Sequence, residues 1–442
     1  MSEILVWLYD EALVIPLTFI IFAAGLYLSV RLRLLQGRHF IKVIRSTLGE
    51  ILKPGDRTAG EISPFQALTT ALAATVGTGN IAGVATAIFL GGPGAIFWMW
   101  VSAFLGMATK YSEIVLAVFY RTRVKGDMAG GPMYFLERGL KMPFLALLFA
   151  LFGSLAAFGI GNMVQANSVA DAVQATFAIP PLLTGLAMAF LGGLVILGGI
   201  RRIAVVTSAA IPAMAVFYLA GAFFILYYLR SEIPAAFATI FTAAFQGRAA
   251  AGGLAGVTVL QAWRFGIARG IFTNEAGLGS ASIAHAVART SHPARQGMWG
   301  ILEVFIDTHV ICTVTALVLL VTGAAQSGLE GAAMTVEAYN RGLPGVTGQY
   351  IIAIGLAFFA FSTLLSWSYY GEKCFEYIMG GRGGPYYRFL WILIIPVGAV
   401  GGLRAVWTLA DILNGLMALP NLVGLVGLSS VLVRLTREYF GK

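Results

Sequence analysis

The sequence predicts an all-α polytopic membrane protein with eleven transmembrane helices. One helix is added at the N-terminus, and two groups of five then run through the bilayer in opposite senses. Three observations predict this. The chain is 58% apolar and 11% charged, where a soluble domain carries roughly 25% charged residues, and its mean hydropathy is +0.84. Its basic residues fall almost entirely into alternate connections between the apolar stretches. Two of those stretches, the second and the seventh, are interrupted midway by polar, glycine-rich segments.

Taken in order, the apolar stretches are 12–30, 64–90, 95–120, 143–173, 181–200, 203–229, 257–288, 297–322, 349–377, 389–402 and 409–433. A helix needs about 20 apolar residues to cross a bilayer. The tenth stretch is short, and the fourth is long enough to project beyond the membrane. The connections test the count. Arg31 to Arg57, Arg121 to Lys141, Arg201 and Arg202, Arg289 and Arg295, Lys373 to Arg388, and Arg434 to Lys442 place 22 basic residues on one side. Arg230, Arg248, Arg341 and Arg404 are the four on the other. The positive-inside rule then puts the N-terminus outside and the C-terminus in the cytoplasm, as an odd number of spans requires.

Two connections read as helices. Residues 40–52 space Phe40, Ile44, Leu48 and Ile51 for one face of a helix lying on the inner surface. Residues 234–245 are apolar but too short to cross, and suit an outer cap over the seventh span. Residues 329–348 read as an outer loop. The organisation is therefore 1–62, an N-terminal helix and basic connection; 63–230, one five-helix repeat; and 231–442, the second repeat and tail. The formal charge of +9 reports topology rather than a nucleic-acid partner. Cys312 and Cys374 read as free thiols, the four histidines form no H-E-x-x-H motif, and Met-Ser-Glu begins no signal peptide.

The first interruption is Ala74-Thr-Val-Gly-Thr-Gly-Asn-Ile-Ala-Gly83 and the second runs from Gly270 to Ser280. Glycine and threonine weaken a helix interior. In lipid, freed backbone groups are tolerated only where protein, water or a ligand meets them. Small residues at i and i+4, such as Gly79 and Gly83, would equally serve close helix packing. Two breaks at matching positions of two inverted groups point instead to a transporter's binding site. Gly77-x-Gly79-x-x-x-Gly83 misses the dinucleotide fingerprint by one position and has no strand context.

The run TVGTGNIAGVATAI from Thr75 to Ile88, GGPMY at Gly130–Tyr134, FTNEAGLGS at Phe272–Ser280 and FSTLLSWSYYGE at Phe361–Glu372 together resemble the alanine or glycine:cation symporter family, the sodium/alanine symporters. The resemblance extends from about Ser63 to the C-terminus. It implies a bacterial-leucine-transporter-like inverted repeat with discontinuous helices 2 and 7, in the plasma (inner) membrane of a prokaryote. It also implies uptake of L- or D-alanine or glycine driven by Na⁺. Stoichiometry and oligomeric state stay open.

A zwitterion needs donors for its carboxylate and acceptors for its ammonium. The second half of span 2 begins near Thr78, Gly79 and Asn80, where free N–H groups and the positive dipole end favour a carboxylate. Acceptors are expected from carbonyls around Gly270–Thr273, from Asn274 and from Gln165. The resemblance assigns Gln165, Phe272, Asn274 and Trp367 to the pocket, with Thr273 and Gly277 of the second break beside them. Na⁺ suits carbonyl and hydroxyl oxygens. Thr75 and Thr78 in span 2, with Ser362, Thr363 and Ser366 on one face of span 9, are the expected ion site, as in the related fold. Ionisable residues inside spans are costly and usually functional; here they are Lys110, Glu113, Arg264, Arg269, Glu275, Glu303 and Asp307. Arg269 and Glu275 flank the second break and are expected to form ion pairs that gate it or hold its halves. Asp307 is the candidate for proton coupling. The competing readings are a proton-coupled amino-acid permease of the same fold, a channel, and an intramembrane enzyme, for which no metal dyad or nucleophile arrangement stands out.

Overall fold

The computed structural model describes residues 15–51, 59–246, 259–401 and 404–441. Apart from one hairpin, its regular structure is helical, as an apolar chain that must satisfy its own backbone requires. Helix α1 (Ile15–Arg31) leads through a turn to α2 (Phe40–Ile51). Helix α3 (Pro64–Thr75) starts from a capping box: Ser63 Oγ accepts from the Gln66 amide and Gln66 Oε1 from the Ser63 amide, with Pro64 first in the helix. The chain resumes as α4 (Gly79–Gly91), bent 56° from α3. Next come α5 (Gly94–Phe119), a hairpin of β1 (Thr122–Val124) and β2 (Asp127–Ala129), and α6 (Pro132–Arg138). Helices α7 (Pro143–Phe177), α8 (Pro181–Ile196), α9 (Gly199–Tyr228) and α10 (Ile233–Gln246) follow. Helix α11 (Val259–Asn274) stops short of α12 (Ser280–Ala286), and α13 (Pro293–Val321) comes after. The chain ends with α14 (Gly331–Gly342), α15 (Thr347–Ile378), α16 (Gly384–Val400), α17 (Arg404–Gly427) and α18 (Ser429–Phe440).

Helices α5, α7, α9, α13 and α15 are each long and apolar enough to cross a membrane, and α3–α4 reaches that length as a bent pair. Helices α1, α8 and α16 are apolar but only 16 or 17 residues long. The outward faces of α8, α9 and α16 leave Leu194, Phe223 and Leu393 exposed, a surface that lipid covers. Helix α5 is the most enclosed of the long helices and packs against α11 and α13. Helices α7 and α15 pack on each other, α8 on α16, and α17 on α7.

Some sequence expectations are corrected. Residues 329–348 are not a plain loop: α14 occupies Gly331–Gly342 and buries Met334, Thr335 and Tyr339. The eleventh apolar stretch does not run straight to residue 433. The chain bends 61° after Gly427 into α18, whose Arg434–Glu438 pair at 3.7 Å is solvated. Helix α2 is not among these corrections: it turns Val43 and Thr47 inward and leaves Leu48 and Ile51, of the stripe read from spacing, exposed. The first residues of spans 1 and 7, and Lys53, Arg57, Arg248 and Lys442, lie outside the described residues.

Candidate functional site

Helix α3 ends because Val76 turns extended (φ −74°, ψ 99°). Gly77 then gives its amide to Asn80 Oδ1 at 2.9 Å. Helix α4 opens with a π turn over Gly79–Gly83, a feature frequent at functional sites. Of its leading amides, that of Asn80 bonds the Gly77 carbonyl at 3.3 Å, while Thr78 and Gly79 stand at the head of the helix, where amides lack an intrahelical acceptor. This break forms one wall of a cavity of ≈ 870 Å³, whose lining includes Gly77, Thr78 and Gly79, with Gln165 and Ser168 of α7, Phe272 of α11, and Thr363 and Trp367 of α15. Gln165 donates to the Ile160 carbonyl at 2.9 Å, and its Oε1 is buried without a partner among the described residues. Trp367 is held by two contacts. Its Nε1 donates to Glu275 Oε1 at 3.1 Å. Gly161 lies so close that a Cβ there would sit 2.6 Å from Trp367 Cγ.

Behind the break, α15 presents hydroxyls to the end of α3. Thr363 Oγ1 donates to the Ala73 carbonyl at 3.0 Å, and Ser362 Oγ lies 3.4 Å from the same oxygen. A Cβ on Gly77 would lie 3.1 Å from Thr363 Oγ1. Ser366, one turn on, has a buried hydroxyl without a partner among the described residues. Thr75 is buried and donates to Ala71 at 3.3 Å. The Ala73 carbonyl and the Ser362 and Thr363 hydroxyls, neutral oxygens gathered on one spot, fit a hard monovalent cation better than a transition metal.

At the opposite end of the break the structure is closed. The segment before α3 is zipped to the one after α12: the Glu61 amide bonds the Val287 carbonyl at 2.8 Å and the Arg289 amide the Ile62 carbonyl at 2.9 Å. Arg121 clamps both, donating to the carbonyls of Ala286, Ala288 and Ala59. The cavity opens the other way, past Asp171, Thr176, Glu337 and Gln349.

A family model described as the sodium:alanine symporter family matches residues 2–442. This chain belongs to that family. It is 50% identical over 430 residues to the sodium/alanine symporter AgcS of Methanococcus maripaludis, covering 95% of this chain and 93% of that one. It is 49% identical to an uncharacterized transporter of Haemophilus influenzae, covering 96% and 93%. Among solved structures, a Na⁺-coupled sialic acid symporter superposes with a TM-score of 0.51 at 14% identity, over 95% of this chain and 86% of that one; it shows the fold. The protein is thus a multi-pass membrane transporter of the sodium:alanine symporter family.

Within this symporter the second break is built differently. Helix α11 ends at Asn274, and Glu275, Gly277 and Gly279 turn the chain at φ 53°, 107° and 83°. The Gly277 and Gly279 amides both donate to Glu113 Oε1 of α5, at 2.8 and 3.1 Å. Asn421 of α17 donates to the same oxygen and to the Gly277 carbonyl. Neither Gly277, Asn274 nor Asn80 lines the cavity. Asn80 is buried against Asp307 and Cys312, and Asn274 against Thr308. Thr273 Oγ1 donates to Arg269, and its atoms stand 3.4–3.6 Å from where a Gly79 Cβ would be.

Among the described residues, the expected ion pairs at the second break are not formed: Arg269 stands over the Phe272 ring at 5.8 Å, while Glu275 takes bonds from Trp367 and from Ser280, the latter at 2.6 Å. Arg264 stands over the Phe265 ring at 5.3 Å. The buried pair is instead Lys110–Glu303 at 3.3 Å, with His285 at 3.1 Å from the same carboxylate. Sequence reasoning missed Glu275 as a cavity wall and Glu113 as a plug. Their only signal was a carboxylate inside an apolar span.

Proposed function

We propose that this protein is a secondary active transporter that couples inward Na⁺ flow to uptake of a small neutral amino acid, alanine or glycine, by alternating access. The observation that carries the reading is the open break between α3 and α4: Thr78 and Gly79 at the head of α4 line the cavity on one side, and α15 hydroxyls meet the α3 carbonyl of Ala73 on the other. A carboxylate at the start of α4 gains about 0.3–2 kcal/mol from the helix dipole, besides its hydrogen bonds. Thr78 and Gly79 would hold it, and Gln165 Oε1 would accept from the ammonium. Phe272 and Trp367 would limit the side chain. The coupling ion would lie among the Ala73 carbonyl, Ser362, Thr363, Ser366 and the threonines Thr75 and Thr78.

Support for eleven spans comes from pairing the elements: α1, then α3–α4, α5, α7, α8 and α9, then α11–α12, α13, α15, α16 and α17. The two fives correspond to 63–230 and 231–442, and their first members are the interrupted helices. With the N-terminus outside, the cavity faces outward and the Arg121 clamp is the shut inner gate. One Na⁺ crossing 100 mV releases about 2.3 kcal/mol, enough to concentrate a neutral zwitterion roughly fifty-fold.

The test is uptake of radiolabelled alanine into proteoliposomes under an imposed Na⁺ gradient, and separately under a pH gradient without Na⁺. Accumulation should follow Na⁺ and disappear in Thr363→Ala. Accumulation driven by the pH gradient alone would establish the proton-coupled permease, and flux that never exceeds equilibrium would establish a channel.

A further inference from the structure

The two breaks are joined by an unbroken chain of hydrogen bonds that crosses one carboxylate. The Gly77 amide donates to Asn80 Oδ1 at 2.9 Å, and Asn80 Nδ2 donates to Asp307 Oδ1 at 2.8 Å. From the other side, the Ala276 amide donates to Asn274 Oδ1 at 3.0 Å. Asn274 Nδ2 donates to Thr308 Oγ1 at 3.2 Å, and Thr308 Oγ1 donates to Asp307 Oδ2 at 2.8 Å. Asn80, Asn274, Asp307 and Thr308 are all buried. Each asparagine accepts from its own break and donates toward α13, and a carboxylate is the one side chain that offers acceptors in both directions and no donor.

The ends of this chain matter. Gly77 lines the cavity and touches Thr363, on the ion side. Ala276 follows Glu275, which lines the cavity and holds Trp367, on the substrate side. Asp307 itself sits in a π turn, Phe305–Cys312, a local widening often found at functional positions. Four residues earlier on the same helix face, Glu303 pairs with Lys110 and with His285 of α12. Helix α13 therefore carries attachments to the first break and to both sides of the second.

Resting on the symport reading above, we infer that Asp307 is the shared anchor of the two breaks and the positioning residue that makes Na⁺ binding and amino-acid binding depend on each other. Neither break can shift without stretching a bond to a buried carboxylate that the other break also holds. Such coupling is reciprocal: Na⁺ raises amino-acid affinity by the factor by which the amino acid raises Na⁺ affinity.

The experiment measures equilibrium binding of radiolabelled alanine to the purified full-length protein across a Na⁺ series. Wild type should gain affinity by about tenfold or more between low and saturating Na⁺, a factor ordinary for coupled sites. Asp307→Asn points an N–H₂ group at a donor and cuts the chain. Its linkage should fall below about threefold. The double variant Asn80→Asp with Asp307→Asn restores the alternation. The carboxylate now at position 80 would accept from the Gly77 amide and from the new side-chain amide at position 307, whose oxygen accepts from Thr308. It should recover most of the linkage, which a merely structural lesion would not. Thr308→Val keeps the volume, removes only the hydroxyl, and should also uncouple; it carries the test if Asp307→Asn does not fold. Wild-type linkage in folded Asp307→Asn or Thr308→Val, or a swap as uncoupled as Asp307→Asn, overturns the inference and leaves symport standing. A wild type whose alanine binding ignores Na⁺ overturns the symport reading, and the inference with it.

Discussion

As strings of glycine, threonine and asparagine the two breaks are alike, yet the first is open and the second is filled. At the first, Gly83 has nothing within 4 Å of where a Cβ would stand, and Gly79 meets Thr273 at no less than 3.4 Å. At the second, a Cβ on Gly277 would lie 2.8 Å from Ile21, and one on Gly279 would lie 2.9 Å from Asn421. The Gly277 and Gly279 amides of the second break are already taken by Glu113. An interrupted helix therefore offers a ligand site only where no neighbour supplies the missing acceptor. Here a carboxylate of the protein occupies one break, and a carboxylate of the substrate is proposed to occupy the other.

The comparison can be broken most severely at Glu113. Glu113→Ala strands two backbone amides and the Asn421 amide in the interior, and should destabilise the protein by roughly 3–5 kcal/mol. A wild-type unfolding temperature in detergent would show that the second break does not need its plug. Gly279→Ala comes next. At φ 83° and against Pro132 and Asn421, the methyl should cost about 3 kcal/mol, read in the same assay. Trp367→Phe removes the Nε1 donor to Glu275, a bond worth about 1 kcal/mol, and shortens the ring that walls the cavity. It should weaken alanine binding several-fold and let a bulkier neutral amino acid compete in uptake. The smallest effect belongs to Gly83→Ala, which should stay within about 0.5 kcal/mol, because the added methyl meets open cavity. A loss as large as that of Gly279→Ala would mean the first break is packed rather than open.

Much of this arrangement was legible beforehand. The positions of both interruptions followed from residues that weaken helices inside apolar runs. The meeting of Ser362 and Thr363 with the end of α3 agrees with hydroxyls placed on one helical face. Side-chain direction was not legible. Asn80 reads as a substrate contact from its place at the start of the second half of span 2, and Asn274 as an ammonium acceptor that the family resemblance also assigns; their side chains turn toward Asp307 and Thr308. Arg269 and Glu275 read as formers of ion pairs because they flank the second break, but a tryptophan 92 residues away claims the carboxylate. Residues 329–348 read as a loop because α14 mixes small, polar and apolar residues, and only packing against α15 and the start of α4 gives it a side to bury.

The sequence alone determined that the chain lives in a bilayer and that two of its helices are interrupted, because apolar length and helix-weakening residues act locally. Which interruption stays available to a ligand was decided by the tertiary structure. Both expose backbone amides, and only the helices packed beside them determine whether an acceptor is already within reach: Glu113 lies 164 residues from Gly277 in the chain and 2.8 Å from its amide in space.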